Sequence, residues 1–211
     1  MSVVGIVAAG GSGERLGADS PKAFVVVGGK TLLERALELL VPACDRVVAA
    51  VPPGSEEPPD RVAGGSSRSA SVRNALAAAP EASVAVVHDA ARPLATPELV
   101  RGCLDALAAG GEGAIAAARM TDTVKEADPT GRVMRTLDRS ALWSVQTPQA
   151  FRADALRRAL DVDEEALASA TDDAALVEAA GGSVRVVEAP PENLKVTRPA
   201  DLRVVEALLG C

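Results

Sequence analysis

The sequence predicts a three-layer α/β/α domain built on a mostly parallel sheet, and three observations carry that expectation. Short β-branched apolar runs alternate with alanine- and leucine-rich segments of helical period, the pattern of consecutive βαβ units. The 211 residues suffice for one well-filled α/β core, or a core with an appendage. A glycine-rich turn follows the first strand directly, at the end where open parallel sheets bind ligands.

That first strand is expected at Val3–Ala8, running into the loop AAGGSGERLG with Pro21-Lys22 beyond it. Gly10, Gly11 and Gly13 let the backbone take positive φ and bring bare N–H groups close to phosphate oxygens, while Arg15 and Lys22 supply charge. The set suits a nucleoside triphosphate; the same glycines also suit an ordinary tight turn. A dinucleotide fingerprint read from Gly11 fails because Leu16 stands at its third glycine and the second strand ends Val51-Pro52-Pro53 without an acidic residue for a ribose. Gly29-Lys30-Thr31 ends like a P-loop, but Phe24 stands where that loop opens and Val25 to Val27 fill it.

The remaining elements follow from period and caps. Helix is expected over Thr31–Leu40, strand over Arg46–Val51, a solvated proline-rich connection over Pro52–Pro59, and helix over Ser69–Ala79 with Ser69 as its cap. Strand Ser83–His88 precedes a helix opened by Thr96-Pro97-Glu98, which offers a cap, an N1 proline and an acidic first turn. Strand Gly113–Ala118, helices Arg152–Leu160 and Thr171–Ala180, strand Ser183–Glu188 and helix Pro199–Leu209 complete the alternation. Arg119–Gln149 breaks it: strand-like Thr121–Lys125 and Val133–Leu137 flank the turn Asp128-Pro129-Thr130-Gly131, so the segment reads as a hairpin arm serving as lid or subunit contact. The chain is thus expected to be one domain, residues 1–211, with 119–149 as a dimerisation arm.

Composition excludes several classes. A net charge of −7 argues against a nucleic-acid surface, so a polyanionic ligand must meet a local cluster of cations. The four lysines, Lys22, Lys30, Lys125 and Lys195, all lie in or beside glycine-, proline- or asparagine-marked loops, and lysine is a compact point charge suited to phosphate. There is no apolar run of membrane-spanning length and no secretory pattern, and Cys44, Cys103 and Cys211 are odd in number and never paired as CxxC. A cytoplasmic protein without disulfides, zinc or membrane contact is expected.

Polar residues gather at the strand ends. His88-Asp89-Ala90-Ala91-Arg92-Pro93 places an acid and an arginine where a metal-bound phosphate or a sugar hydroxyl can sit, although an Asp–Arg pair shaping the loop accounts for them equally. Gly64 to Ser71 (GGSSRSAS) sets hydroxyls and a cation at a helix N-terminus, which favours anions or polar base edges. Asp138-Arg139, Gln146-Thr147-Pro148-Gln149, Thr171-Asp172-Asp173 and Asn193-Leu194-Lys195 add to the set. The series AAGGSGERLG, PKAF, GGSSRSASV, VHDAARP, TDTVK, DRSALW, QTPQAF, TDDAALVEAAG and NLKVTRPADL, in that order from about Val4 to Leu209, closely resembles the 2-C-methyl-D-erythritol 4-phosphate cytidylyltransferases of the non-mevalonate isoprenoid pathway.

The resemblance implies a Rossmann-like nucleotidyltransferase fold, a homodimer, and Mg²⁺-dependent transfer of cytidylyl from CTP to methylerythritol phosphate. It implies that Arg15 and Lys22 stabilise the transition state and that Arg139 and Lys195 hold the acceptor. It places Ala8, Ala9, Gly10, Gly11, Gly13, Gly65 and Ser71 at CTP, and Asp89, Arg92, Thr123, Thr147 and Thr171 toward the acceptor, with Asp89 a candidate metal ligand. His88 and Trp143 are read as structural. Ala23 replaces the family's usual glutamine, Ser66 its usual acid after Gly-Gly, and Pro52–Gly64 is short enough to lack a helix. The chain ends at Cys211, so no fused cyclodiphosphate synthase domain is expected. A ribitol 5-phosphate cytidylyltransferase and a nonenzymatic CTP-binding module remain as alternatives.

Overall fold

A computed structural model describes residues 1–11, 13, 16 and 20–210. In chain order its elements are β1 (Val3–Ala8), β2 (Val26–Val27), β3 (Lys30–Thr31), α1 (Leu32–Leu40), β4 (Arg46–Val51), β5 (Arg61–Ala63), α2 (Arg68–Ala77), β6 (Val84–Asp89), α3 (Pro97–Ala108), β7 (Gly113–Arg119), β8 (Lys125–Ala127), β9 (Val133–Thr136), β10 (Trp143–Arg152), α4 (Ala153–Leu160), α5 (Glu164–Ser169), α6 (Asp173–Ala179), β11 (Val184–Glu188) and α7 (Pro199–Leu209). Seven strands among the described residues form one sheet, ordered β11-β7-β10-β6-β1-β4-β5. Every pairing is parallel except those of β10, which runs antiparallel to both β6 and β7.

The period of two along each strand divides the core. Val4 and Ile6 of β1, Val48 and Ala50 of β4, and Ala85 and Val87 of β6 pack on one face against α2, α4 and α6. Val7, Ala49, Val51, Val84 and Val86 pack on the other against α1 and α3. A smaller cluster of Val27, Leu32, Val196 and Val205 docks α7 on the β2–β3 hairpin. The expected three layers are present, and no helix among the described residues is long and apolar enough to cross a membrane.

Local signals explain most boundaries. Thr31 closes a capping box with Glu34, and Thr96 caps α3 ahead of its N1 proline. The cap of α2 is Ser67, whose Oγ accepts from Ala70 N–H at 3.1 Å; Ser69 is buried within the first turn. Both serines precede the same apolar stretch, so composition alone does not separate them.

The largest departure concerns β10. Trp143–Arg152 is an interior strand of the main sheet, so the excursion from the core spans residues 120–142, shorter than expected, and carries the hairpin β8–β9. Pro148 and the two flanking glutamines hide the strand, since proline removes a ladder donor; the structure accommodates it in a register shift between Val145 and Gln149. Of the strand expected at Thr121–Lys125, Lys125 alone lies in β8. The three-residue β5 and the six-residue α5 were too short to carry a period, and Pro52–Gly64 holds no helix.

Candidate functional site

A cavity of about 570 Å³ opens at the carboxyl ends of β1 and β6, where the glycine loop, the N-terminus of α2 and the segment before α7 meet. Its lining includes all seven residues expected at CTP, together with Lys22, Ser66, Arg68, Asp89 and Lys195. Arg15 lies outside the described residues.

Backbone geometry shapes two walls. Gly13 has φ +83°, and a Cβ there would stand 2.9 Å from Lys22 N, so both conformation and space demand glycine where the loop meets the short 3-10 turn Lys22–Phe24. At Gly65 a Cβ would stand 2.5 Å from Ala70 Cβ. The buried Ser71 hydroxyl braces this wall, accepting from Gly65 N–H at 3.0 Å and donating to the Ser67 carbonyl at 2.9 Å. Ser71 therefore shapes the loop while lining the cavity. Ser66, where the family carries an acid, donates to Glu164 of α5 at 2.5 Å.

The charged floor is a chain of four groups. Lys195 Nζ reaches Asp89 Oδ2 at 2.6 Å, Arg68 Nε reaches Asp89 Oδ1 at 2.7 Å, and Arg68 Nη1 reaches Asp173 Oδ2 at 2.6 Å. Burial alone would push the Asp89 carboxyl up, but the Arg68 and Lys195 charges outweigh it and hold it far below the usual range. Asp173, fully buried and sharing Arg68, is raised by burial.

Lys195 is presented by a loop pinned on both sides. Asn193, fully buried, donates from Nδ2 to Gln146 Oε1 at 2.8 Å and to the Thr147 carbonyl at 2.9 Å; Val196 N–H donates to the Ala91 carbonyl at 2.8 Å. Arg92 joins this bracing, donating to the Asn193 carbonyl at 2.7 Å and the Val145 carbonyl at 3.2 Å. Thr147 is buried as well: its hydroxyl accepts from Asp89 N–H at 3.0 Å and lies 3.1 Å from His88 Nδ1. Burial pushes His88 down to about 4, so the ring is neutral near pH 7, and its Nε2 faces the Arg92 carbonyl at 3.2 Å.

The remaining acceptor candidates lie apart from the cavity lining. Arg139 sits exposed on the 3-10 turn Arg139–Ala141 and donates to the Thr121 carbonyl; Thr123 is exposed on the same excursion, and Thr171 is exposed ahead of α6. Arg119 stacks over Trp143, 4.3 Å from the ring centroid, at the base of the arm.

A strand-end cavity lined by glycines, two lysines and an arginine suits a nucleotide, and comparison with known proteins names the family. The family model described as IspD, 2-C-methyl-D-erythritol 4-phosphate cytidylyltransferase, matches residues 3–211. The chain belongs to this family. It is 46% identical over 220 residues to the Nocardia farcinica protein of that name, covering 99% of this chain and 94% of the relative. It is 45% identical to the bifunctional IspD/IspF enzyme of Anaeromyxobacter dehalogenans, covering 98% of this chain and 57% of that longer protein. Its structure is similar to the crystal structure of the Thermus thermophilus cytidylyltransferase, with TM-score 0.83, 35% identity and full coverage of both chains. The family's fold and its standing as nucleotidyltransferase enzymes thus hold for this chain.

Sequence reasoning passed over Arg68, Asp173 and Asn193 as individual site residues. Arg68 and Asp173 stand 105 positions apart and Asn193 is 47 from Gln146, so no local pattern joins them. The available signal for Arg68 was an arginine at a helix N-terminus, where the dipole disfavours a cation unless carboxylates face it.

Proposed function

We propose that this chain transfers the cytidylyl group of CTP to 2-C-methyl-D-erythritol 4-phosphate, releasing pyrophosphate, in the cytoplasm and as a homodimer. The observation that carries this reading is the single cavity wall shared by the glycine loop, the Gly65 loop, Lys22 and Lys195. An oxygen of the acceptor phosphate attacks the α-phosphorus; the new O–P bond forms as the bond to the β-phosphate oxygen breaks. The nucleophile is already an anion at neutral pH, so no base is required, which agrees with a fully buried, neutral His88.

Charge gathering on the equatorial and leaving oxygens is met by fixed cations. Lys22 is assigned to the triphosphate with Arg15, following the family motif, and Lys195 to the acceptor phosphate. Narrow walls at Gly65 and Ala9 select a small pyrimidine without an aromatic platform. Asp89 is the one carboxylate among the described lining residues, and one carboxylate with triphosphate oxygens is a donor set that suits Mg²⁺; bound there, the ion supplies charge neutralisation. Among the described residues no cluster of three or more acidic, His or Cys side chains could hold a metal alone. The exposed Arg139 and Thr123 are assigned to the site of a twofold-related subunit, and the exposed Val133 and Met134 of the arm support such packing. Cys44 and Cys103 are free thiols pushed up to about 12 by burial, so neither is a reactive thiolate near pH 7.

The test is pyrophosphate release with CTP, UTP, ATP and GTP at equal Mg²⁺, each with methylerythritol phosphate or ribitol 5-phosphate. CTP with methylerythritol phosphate should turn over fastest. Equal turnover with UTP would overturn the assigned base contacts, and preference for ribitol phosphate the assigned acceptor.

A further inference from the structure

Arg68 occupies the first turn of α2, where a cation opposes the helix dipole, and its placement there needs a reason. The reason on the page is a pair of carboxylates from two other elements, Asp89 at the end of β6 and Asp173 at the start of α6. Their distances, 2.7 and 2.6 Å, occupy Nε and Nη1 of the planar guanidinium, so the two acids fix its plane. Asp173 is fully buried, and its second oxygen has no hydrogen-bond partner, so Arg68 is its main compensation. Asp89 is held at Oδ1 by Arg68 and at Oδ2 by Lys195, both of which line the cavity. Lys195 is the most solvent-exposed member, its side chain 40% exposed against 25% for Arg68 and 7% for Asp89.

We infer that Arg68, anchored by Asp173, is a positioning residue that keeps Asp89 compensated while Lys195 leaves it for the acceptor phosphate. The inference rests on the proposed role of Lys195 and deepens it. With Arg68 in place, releasing Lys195 leaves Asp89 still paired, and the exchange of one anion for another at Nζ costs little. Without Arg68, Lys195 becomes the sole side-chain counter-ion of a buried carboxylate, and it stays there. Asp173 takes part by fixing the guanidinium plane, so that Oδ1 of Asp89 is met in one rotamer.

The test is a double-mutant cycle in steady-state kinetics of CTP with methylerythritol phosphate, on wild type, Arg68→Met, Lys195→Ala and the double variant. Arg68→Met should lower kcat/KM for the acceptor by about 10²-fold, the scale of misplacing a reacting group by about 1 Å, with KM for CTP changed less than about threefold. In the Lys195→Ala background the same change should cost less than about threefold, because the group it acts through is gone. Equal losses in both backgrounds would overturn the inference, since a merely structural residue acts whether or not Lys195 is present. Arg68→Lys should recover little, because an ammonium cannot span both carboxylates at the guanidinium's geometry. Should Arg68→Met strand Asp173 and fail to fold, Arg68→Met/Asp173→Asn removes that charge and enters the same cycle. Wild type inactive with methylerythritol phosphate would instead refute the functional reading itself.

Discussion

Removing Asn193 tests how the structure delivers Lys195 to the cavity. Asn193→Ala deletes two hydrogen bonds, of 2.8 and 2.9 Å, and leaves two buried acceptors, Gln146 Oε1 and the Thr147 carbonyl, without that donor. Each bond contributes about 1 kcal/mol net, and each acceptor left unpaired raises the cost to about 1–3 kcal/mol. Gln146 Nε2 already donates to the Pro190 carbonyl at 3.4 Å, so that contact does not serve the stranded oxygen, and the pair sums to about 2–6 kcal/mol. At about 2–4 °C per kcal/mol for a chain of this size, the melting temperature should fall by roughly 5–25 °C. Because Lys195 is two residues on, kcat/KM for the acceptor should fall by about 10-fold or more at a temperature where the variant is fully folded. Calorimetry and pyrophosphate release at 20–25 °C measure the two effects separately. A melting temperature within about 1 °C of wild type, with unchanged acceptor kinetics, would refute the claim that Asn193 pins this loop.

Three further outcomes are expected. Lys22→Ala should lower kcat by about 10²-fold with native circular dichroism, as for loss of one oxyanion stabiliser; near-normal kcat would remove Lys22 from the mechanism. His88 has its pKa lowered from 6.5 to about 4, so between those values the unfolded state binds the extra proton and stability falls as pH drops from 6.5 toward 4, by up to about 3 kcal/mol. Unfolding midpoints in metal-free buffer at pH 7 and pH 4.5 should therefore converge for His88→Gln relative to wild type, and an unchanged difference counts against a neutral buried ring. Lys22→Ala and Arg139→Ala, each nearly inactive, should regain activity when co-refolded, since a mixed dimer holds one site with both residues intact; no recovery despite verified subunit exchange places Arg139 in its own subunit's site.

What the sequence displayed was governed by range. Strand Val3–Ala8 and the glycine loop are contiguous, so their period and φ requirements are visible in ten residues. The Thr96-Pro97-Glu98 start of α3 is likewise a local signal that the structure matches. β10 escaped because its polar and proline residues are paid for by neighbours on two other strands, a tertiary effect with no trace in its own period. The ion chain from Lys195 to Asp173 escaped for a related reason: the resemblance marked Lys195 and Asp89 at one end, but the half-buried Arg68 that joins Asp89 to Asp173 depends on where three elements stop in space. Ser71, expected at CTP, lines the cavity, and the loop contacts of its hydroxyl, like the ion chain, are set by where the chain folds back on itself.

The place of β10 between β6 and β7 has a consequence for synthesis. β6 and β7 are sequential, yet they lie two strand spacings apart, about 10 Å, and neither pairs with the other. A nascent chain that has emerged only as far as residue 142 therefore holds two apolar strands separated by an empty slot, with β6 exposing an unsatisfied edge. Zipping β10 into that slot supplies both ladders in one event and carries Gln146 and Thr147 under the cavity floor at the same moment. The polypeptide thus cannot assemble its nucleotide pocket from the N-terminal half outward. Until the ribosome has released about three-quarters of the chain, the aggregation-prone edge is open, and a chaperone that shields strand edges has its clearest target there.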